Sequence, residues 1–312
     1  MKKRKKNEKP KQKILLSFLM MILMIVAAAG VMSVGSRPPA TINQNHSIHS
    51  TNPGFRYDPN EFISVSGQIG SHTHVDTTCI YGDHDDEIAP EFDYLYPLQQ
   101  NGPNVAGSSR SASTHSEYIC EAYDCEGSVD ESFLSSFVTS ANMKVISFTA
   151  GSISSNIGYA ETGNDPAGDA HSVASGGHEP YGALTLSFPF YVSHGGWLFI
   201  EQSYLFLYVN GGGENHWYEA YAEGYWSVRK SGGSTVANAS YWHLKQVDFE
   251  AHNEQGDQPG SMIFLTAGDY VFTATYFSSI VAGCDTSGYQ NSASFTISPT
   301  DHFRVKLNYL IE

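Results

Sequence analysis

Beyond its first 13 residues this sequence has little positive charge. Eight of its 17 Lys and Arg fall within the first 13 residues, against one of its 32 Asp and Glu, so nine basic residues face 31 acidic ones in the body that follows. A surface that negative repels phosphate, and no nucleic acid is expected as a partner. Cysteine is scarce too, at four in 312 residues. Repeats with a period of about 20–50 residues are missing, which disfavours propellers and solenoids. No G-x-S-x-G occurs, so a nucleophile-elbow serine hydrolase has no anchor. Apolar material is not lacking: 41% hydrophobic residues, 13% aromatics and 29 glycines exclude a disordered chain, a collagen and a coiled coil.

The basic cluster over residues 1–13 precedes an apolar run, 14–35, in which Ser17 and Ser33 are the main interruptions. At 1.5 Å per residue that run is roughly 30 Å long, enough to cross the hydrocarbon core of a bilayer. Lys and Arg on its N-terminal side keep that end in the cytosol and send the rest of the chain outside. Two readings compete: an uncleaved membrane anchor, which is favoured, and a secretory signal cut near Ala27-Ala28-Ala29-Gly30. Either way the C-terminal domain is expected outside the cell membrane, single-pass or secreted. Residues 36–60, with Pro38, Pro39, Pro53 and Pro59, read as an extracellular stalk. In an oxidising compartment Cys79, Cys120, Cys125 and Cys284 predict two disulfides of open pairing, and Asn45 and Asn238 head N-glycosylation patterns.

The body, 61–312, reads as one mainly β domain. Its first part, 61–142, is less regular: a strand near 62–69, a Ser/Asn/Gly-rich loop between Gln99 and Glu117, and a helix over 129–141. Ser128 and Glu131 suggest a capping box for that helix, ahead of Phe133, Leu134, Phe137 and Val138. Residues 143–312 alternate apolar and polar side chains over strand after strand. Leu184, Leu186, Phe188, Phe190 and Val192 line one face, with Pro189 marking an edge or a bulge. Phe303, Val305, Leu307, Tyr309 and Ile311 line another, opposite Arg304, Lys306 and Asn308. Gly211-Gly212-Gly213 and Ala267-Gly268-Asp269 suggest hairpin turns, and the polar stretch 151–182 suggests a disordered segment or mobile flap. Many short strands with one short helix predict an antiparallel two-sheet sandwich, jelly-roll-like.

Three clusters are candidates for chemistry, each set against an ordinary reading as solvated or packed strand and loop residues. His72, His74 and Asp76 form H-x-H-x-D, which resembles the metal-binding signature of metallo-β-lactamase-type hydrolases. Two imidazoles at i, i+2 share one strand face and reach one zinc, while the carboxylate holds a second metal or activates water. That family places another His after the Asp, where this chain has Thr77, and uses an αββα fold. Asp83, Asp85 and Asp86 crowd an acidic run that reads first as a solvated loop and, as the alternative, as a Ca2+ loop; no other cofactor is expected.

Trp217, Glu219, Tyr221, Glu223 and Tyr225 share one strand face, where rings beside carboxylates suit stacking on sugars and binding their hydroxyls. Glu219 and Glu223 are about 13 Å apart along a strand, too far for a glycosidase pair unless a third carboxylate such as Glu201 or Glu250 joins them. The expected function is a cell-surface binding or structural module whose partners are a glycan or a surface protein. The alternative is an extracellular hydrolase, either a glycosidase or metal-dependent at His72, His74 and Asp76.

Overall fold

The computed structural model describes residues 55–56, 62–79, 82–101, 105–120, 125–141, 145–164, 167–178, 182–247, 253–255 and 261–310. All belong to the second of the chain's two units, Asn52–Glu312. Residues 1–13, the apolar run 14–35, Asn45 and nearly all of the expected stalk lie outside them. Among the described residues no helix is long and apolar enough to cross a membrane.

In chain order the strands are β1 (Phe55–Arg56), β2 (Phe62–Cys79), β3 (Gly82–Asn101), β4 (Val105–Cys120), β5 (Cys125–Ala141), β6 (Val145–Glu161), β7 (Asp169–His178) and β8 (Leu184–Val192). There follow β9 (Gly196–Glu214), β10 (His216–Lys230), β11 (Thr235–Val247), β12 (Asn253–Gln255), β13 (Ser261–Leu265), β14 (Gly268–Ser287) and β15 (Ser292–Leu310). They build two antiparallel sheets. One has nine strands, in the order β1-β8-β2-β7-β14-β10-β11-β12 with β3 added beside β2; the other has six, β13-β9-β15-β6-β5-β4.

β7 and β8 lie end to end between β2 and β14, each pairing with both. The chain passes from one sheet to the other after β3, β6, β8, β9, β12, β13 and β14. The two inner faces share a single large apolar cluster, which makes the domain a sandwich.

Alternation explains why these segments are strands. In β15 Phe303, Val305 and Leu307 are buried, while in β8 Leu184, Leu186, Phe188, Phe190 and Val192 all turn inward. Pro189 pairs only with Val271 of β14; on its other side it falls between the stretch paired to β2 and that paired to β1, a gap where proline is tolerated as at an edge. The layers meet at Phe303, whose ring lies 6.4 Å from Tyr276 and 6.3 Å from Tyr241 across the sandwich, and 6.2 Å from Phe148 beside it.

Several expectations are overturned. Residues 129–141 are not a helix but most of β5, held between β4 and β6. Val129, Phe133 and Phe137 are four apart, a spacing that places residues on one face of a helix and equally on one face of a strand. Glu131, Ser135 and Thr139 fill the buried positions between them. The 61–142 part is as regular as the rest: the expected loop before Glu117 is largely β4, and the expected flap over 151–182 is the end of β6 and all of β7. Small and polar inward residues, Ser152, Ser154, Asn156, Ala170, Ser172 and Ala174, hid the period of two. Gly211-Gly212-Gly213 lies inside β9, and the chain turns instead at Asn215, with φ of 50°. Ala267-Gly268-Asp269 joins strands of different sheets, so it is a corner rather than a hairpin.

Among the described residues no disulfide forms. Cys125 Sγ donates to the Thr162 carbonyl at 3.0 Å, and Cys284 is a buried thiol pushed up to about 12 by desolvation and, less, by the charge of Asp285. The side chains of Cys79 and Cys120 lie outside the described residues. Asn238 is exposed on β11.

Candidate functional site: the outer face of the nine-stranded sheet

Residues directly opposite one another in adjacent strands share a face, and the register of the large sheet aligns titratable and aromatic positions in two rows, whose described side chains on β2, β7 and β10 are half-buried on the outer face and on β14 include the exposed Asp285. The first runs Asp85 on β3, Asp76 on β2, His171 on β7 and Asp285 on β14. The second runs Glu87, His74, Val173, Gly283 and then Trp217 on β10. Neighbouring strands are about 4.8 Å apart, so both rows fit within roughly 20 Å.

β10 carries the expected aromatic and acidic face. Trp217, Tyr221, Glu223 and Tyr225 are half-buried and Glu219 is exposed, while Ala220, Ala222, Trp226 and Val228 turn into the core. The Tyr221 hydroxyl donates to Glu223 Oε2 at 2.9 Å. Partial burial, the hydrogen bond to Glu223 and that carboxylate's charge push the phenol up to about 12, so it stays a donor. Gln246 Nε2 donates to Glu219 Oε2. Trp217 lies against the bare backbone of Gly283: a Cβ there would come within 2.5 Å of the indole. Its Nε1 donates to Asp285 Oδ2 at 3.1 Å. Beside it opens a polar hollow of about 530 Å³, lined by Asp169, Asn215, His216, Trp217, Asp285 and Asn291 among others. The Trp217 indole is therefore fixed at the rim of a space that offers amides and carboxylates.

At the other side of the face, His74 and Asp76 meet His171 rather than His72. One ligand-type atom from each of the three lies within 4.8 Å of the others, and the two imidazole rings are 5.3 Å apart. His72 is on the same face but outside this group. The αββα fold that the H-x-H-x-D resemblance implies is not formed by the described residues, which contain no helix.

The acidic run does not wrap as a Ca2+ loop, because β3 spans it and an extended strand sends consecutive residues to opposite faces. The side chains of Asp83, Asp85 and Asp86 lie outside the described residues. Glu201 sits on β9 of the other sheet, ion-paired with Lys306 at 2.7 Å, so it is no partner for Glu219 or Glu223; Glu250 lies outside the described residues.

A second set of titratable groups is enclosed between the sheets. Asp301 accepts from the Ser152 backbone N–H at 3.0 Å, from Ser152 Oγ at 2.7 Å, and from the Tyr276 and Ser278 hydroxyls. Desolvation raises it to about 8 despite the Ser152 bonds. Glu131, which accepts from Ser154 Oγ at 3.0 Å, is also raised to about 8 by desolvation, while the imidazole of His178 is lowered to about 4 by burial. His178 Nδ1 accepts from the Ser278 N–H at 3.1 Å, and its Nε2 meets Ser135 Oγ at 3.0 Å. Perturbed groups often mark active sites. Here Asp301 and His178 are 3% exposed and their hydrogen bonds go to protein groups of neighbouring strands.

The sequence reading missed Asp169, the placement of His171 beside His74 and Asp76, Asp285 and Asn291. The one local signal was the alternation of small residues through Asp169–Ser175, which reads as a strand once Ala, Ser and Gly are accepted as inward residues.

No family model and no curated protein matches the sequence. Solved structures that align with it include the T13 particle of infectious bursal disease virus (IBDV), at 9% identity over 81% of this chain with a TM-score of 0.11; the match spans 64% of that chain. The VP2 subviral particle of the same virus aligns at 10% identity over 83% of this chain and 84% of that one, also with a TM-score of 0.11. Scores this low define no shared fold.

Proposed function

We propose that this protein is an exported, membrane-anchored β-sandwich, jelly-roll-like in its repeated passage between sheets, that acts as a cell-surface binding module for glycans. The reading rests on one observation: the Trp217 indole, seated on Gly283 and held by Asp285, borders a hollow lined with Asp169, Asn215 and Asn291. A sugar offers an apolar face of C–H groups to an aromatic ring and hydroxyls to amides and carboxylates. Tyr221, Glu223 and Tyr225 extend the same face along β10. The apolar run 14–35 supports the membrane as the other partner, with the domain outside the cell or, after cleavage, secreted.

Titration with soluble polysaccharides is expected to change tryptophan fluorescence, and Trp217→Ala is expected to weaken binding by about 10- to 100-fold, as for loss of a central aromatic contact worth ~1.5–3 kcal/mol. Unchanged fluorescence across a broad glycan set, or full binding by Trp217→Ala, would overturn the reading. A metal-dependent hydrolase is the second reading, favoured by the grouping of His74 and Asp76 with His171.

A further inference from the structure

We infer that His74 and Asp76 of β2 and His171 of β7 form a zinc site across two strands, a ligand set different from the H-x-H-x-D run along one strand. The inference stands on the sheet register and the donor atoms, independently of the glycan reading. Asp76 and His171 are directly opposed residues. Directly opposed side chains start about 5 Å apart, and diagonal ones such as His74 and His171 about 7–8 Å, within reach of two imidazoles. Their ligand-type atoms already lie within 4.8 Å of one another. With bonds of about 2.0–2.1 Å, neighbouring ligands of a tetrahedral ion are about 3.3 Å apart. Modest side-chain rotations close that difference.

The donor types select the metal. Two imidazoles and a carboxylate suit Zn2+, Cu2+ or Ni2+, whereas Ca2+ and Mg2+ take oxygen shells. Three protein ligands leave the fourth tetrahedral position open to water or to a donor from an incoming molecule, as in zinc sites that do chemistry. All three residues are half-buried on the outward face. Asp285 is the register partner of His171 on the next strand, which sets the metal beside the Trp217 hollow. β3 completes the other flank: Asp85 is the register partner of Asp76, and Glu87 that of His74.

Untagged full-length protein, stripped with chelator and titrated with Zn2+ against a chromophoric competitor, is expected to bind one ion per chain. His74→Ala and His171→Ala are each expected to weaken binding at least about 100-fold, and His72→Ala to change it less than about threefold. Absence of stoichiometric binding, wild-type affinity in His171→Ala, or loss of binding in His72→Ala would each overturn the cross-strand site; the last would restore the single-strand motif. Co2+ loaded into the unmodified chain tests the same geometry without a variant. Intense visible bands of a tetrahedral ion are expected, and a weak octahedral spectrum would refute the assignment. No sugar enters these measurements, so failure of the glycan reading leaves their outcome untouched.

Discussion

Raising the pH from 6.5 to 8 is expected to destabilise this domain by about 3 kcal/mol through two buried carboxyl groups alone. Glu131 and Asp301 have ordinary values of 4.5 and 3.8, and in the folded protein both are pushed up to about 8 by desolvation. The folded state therefore keeps two protons that the unfolded chain has released. Below about pH 4 both states hold them and the groups contribute no pH dependence. As pH rises toward 8, each group removes about 1.4 kcal/mol of stability per pH unit, and above 8 the loss levels off.

His178 acts in the opposite sense in a different window. Its folded value is lowered from 6.5 to about 4 by burial, so its contribution is present above 6.5 and is lost as the pH falls toward 4. Below pH 6.5 it offsets one of the two acids, and above that value the acids act almost alone. Urea midpoints measured every half unit from pH 6 to 8.5 test this. Glu131→Gln and Asp301→Asn are each expected to remove about half of the slope, whatever their effect on absolute stability. A flat profile in the parent protein, or an unchanged slope in both variants, would show that these carboxyls are not held protonated.

Phe303→Ala is expected to cost about 3–5 kcal/mol, the range for truncating a fully buried phenylalanine. The ring is 0% exposed and stacks 5° from parallel on Tyr276 of the opposite sheet. Its seat is cut by Gly224 on β10, where a Cβ would come within 2.3 Å of the Phe303 ring. Gly224→Ala alone therefore overpacks the interface and is expected to cost about 1–3 kcal/mol. The two changes are complementary, because the added methyl group enters the space that the lost ring leaves. The double variant is expected to be more stable than the sum of the single effects by at least about 1 kcal/mol. Thermal or urea unfolding of the three proteins measures that coupling, and strict additivity would mean that the sheets do not meet at this pair.

Much of this architecture can be read from local pattern. The alternation in Leu184–Val192, in Trp217–Val228 and in Phe303–Leu307 places the correct residues inside, since a strand with one wet face must alternate. The outward set Trp217, Glu219, Tyr221, Glu223 and Tyr225 follows from the same period. The pattern misleads where inward residues are polar or small. Glu131 reads as a helix cap and Ser152 as a loop residue, because their burial depends on Ser154 and Asp301, which are supplied by other strands. His72 and His74 look like the natural metal pair because they are two residues apart, yet the third residue that joins His74 and Asp76 stands 95 positions beyond Asp76, at His171.

The sequence by itself determined that the chain forms mostly strands, which faces of the most regular ones are wet, and that an apolar run precedes an acidic body, because each of these is a property of neighbouring residues. Only the tertiary structure decided that His171 lies opposite Asp76, that Asp285 holds Trp217, and that two carboxyl groups and a histidine are sealed between the sheets. Strand pairing is the reason: which strand lies beside which is set by packing summed over the whole sandwich, and no spacing along the chain records it.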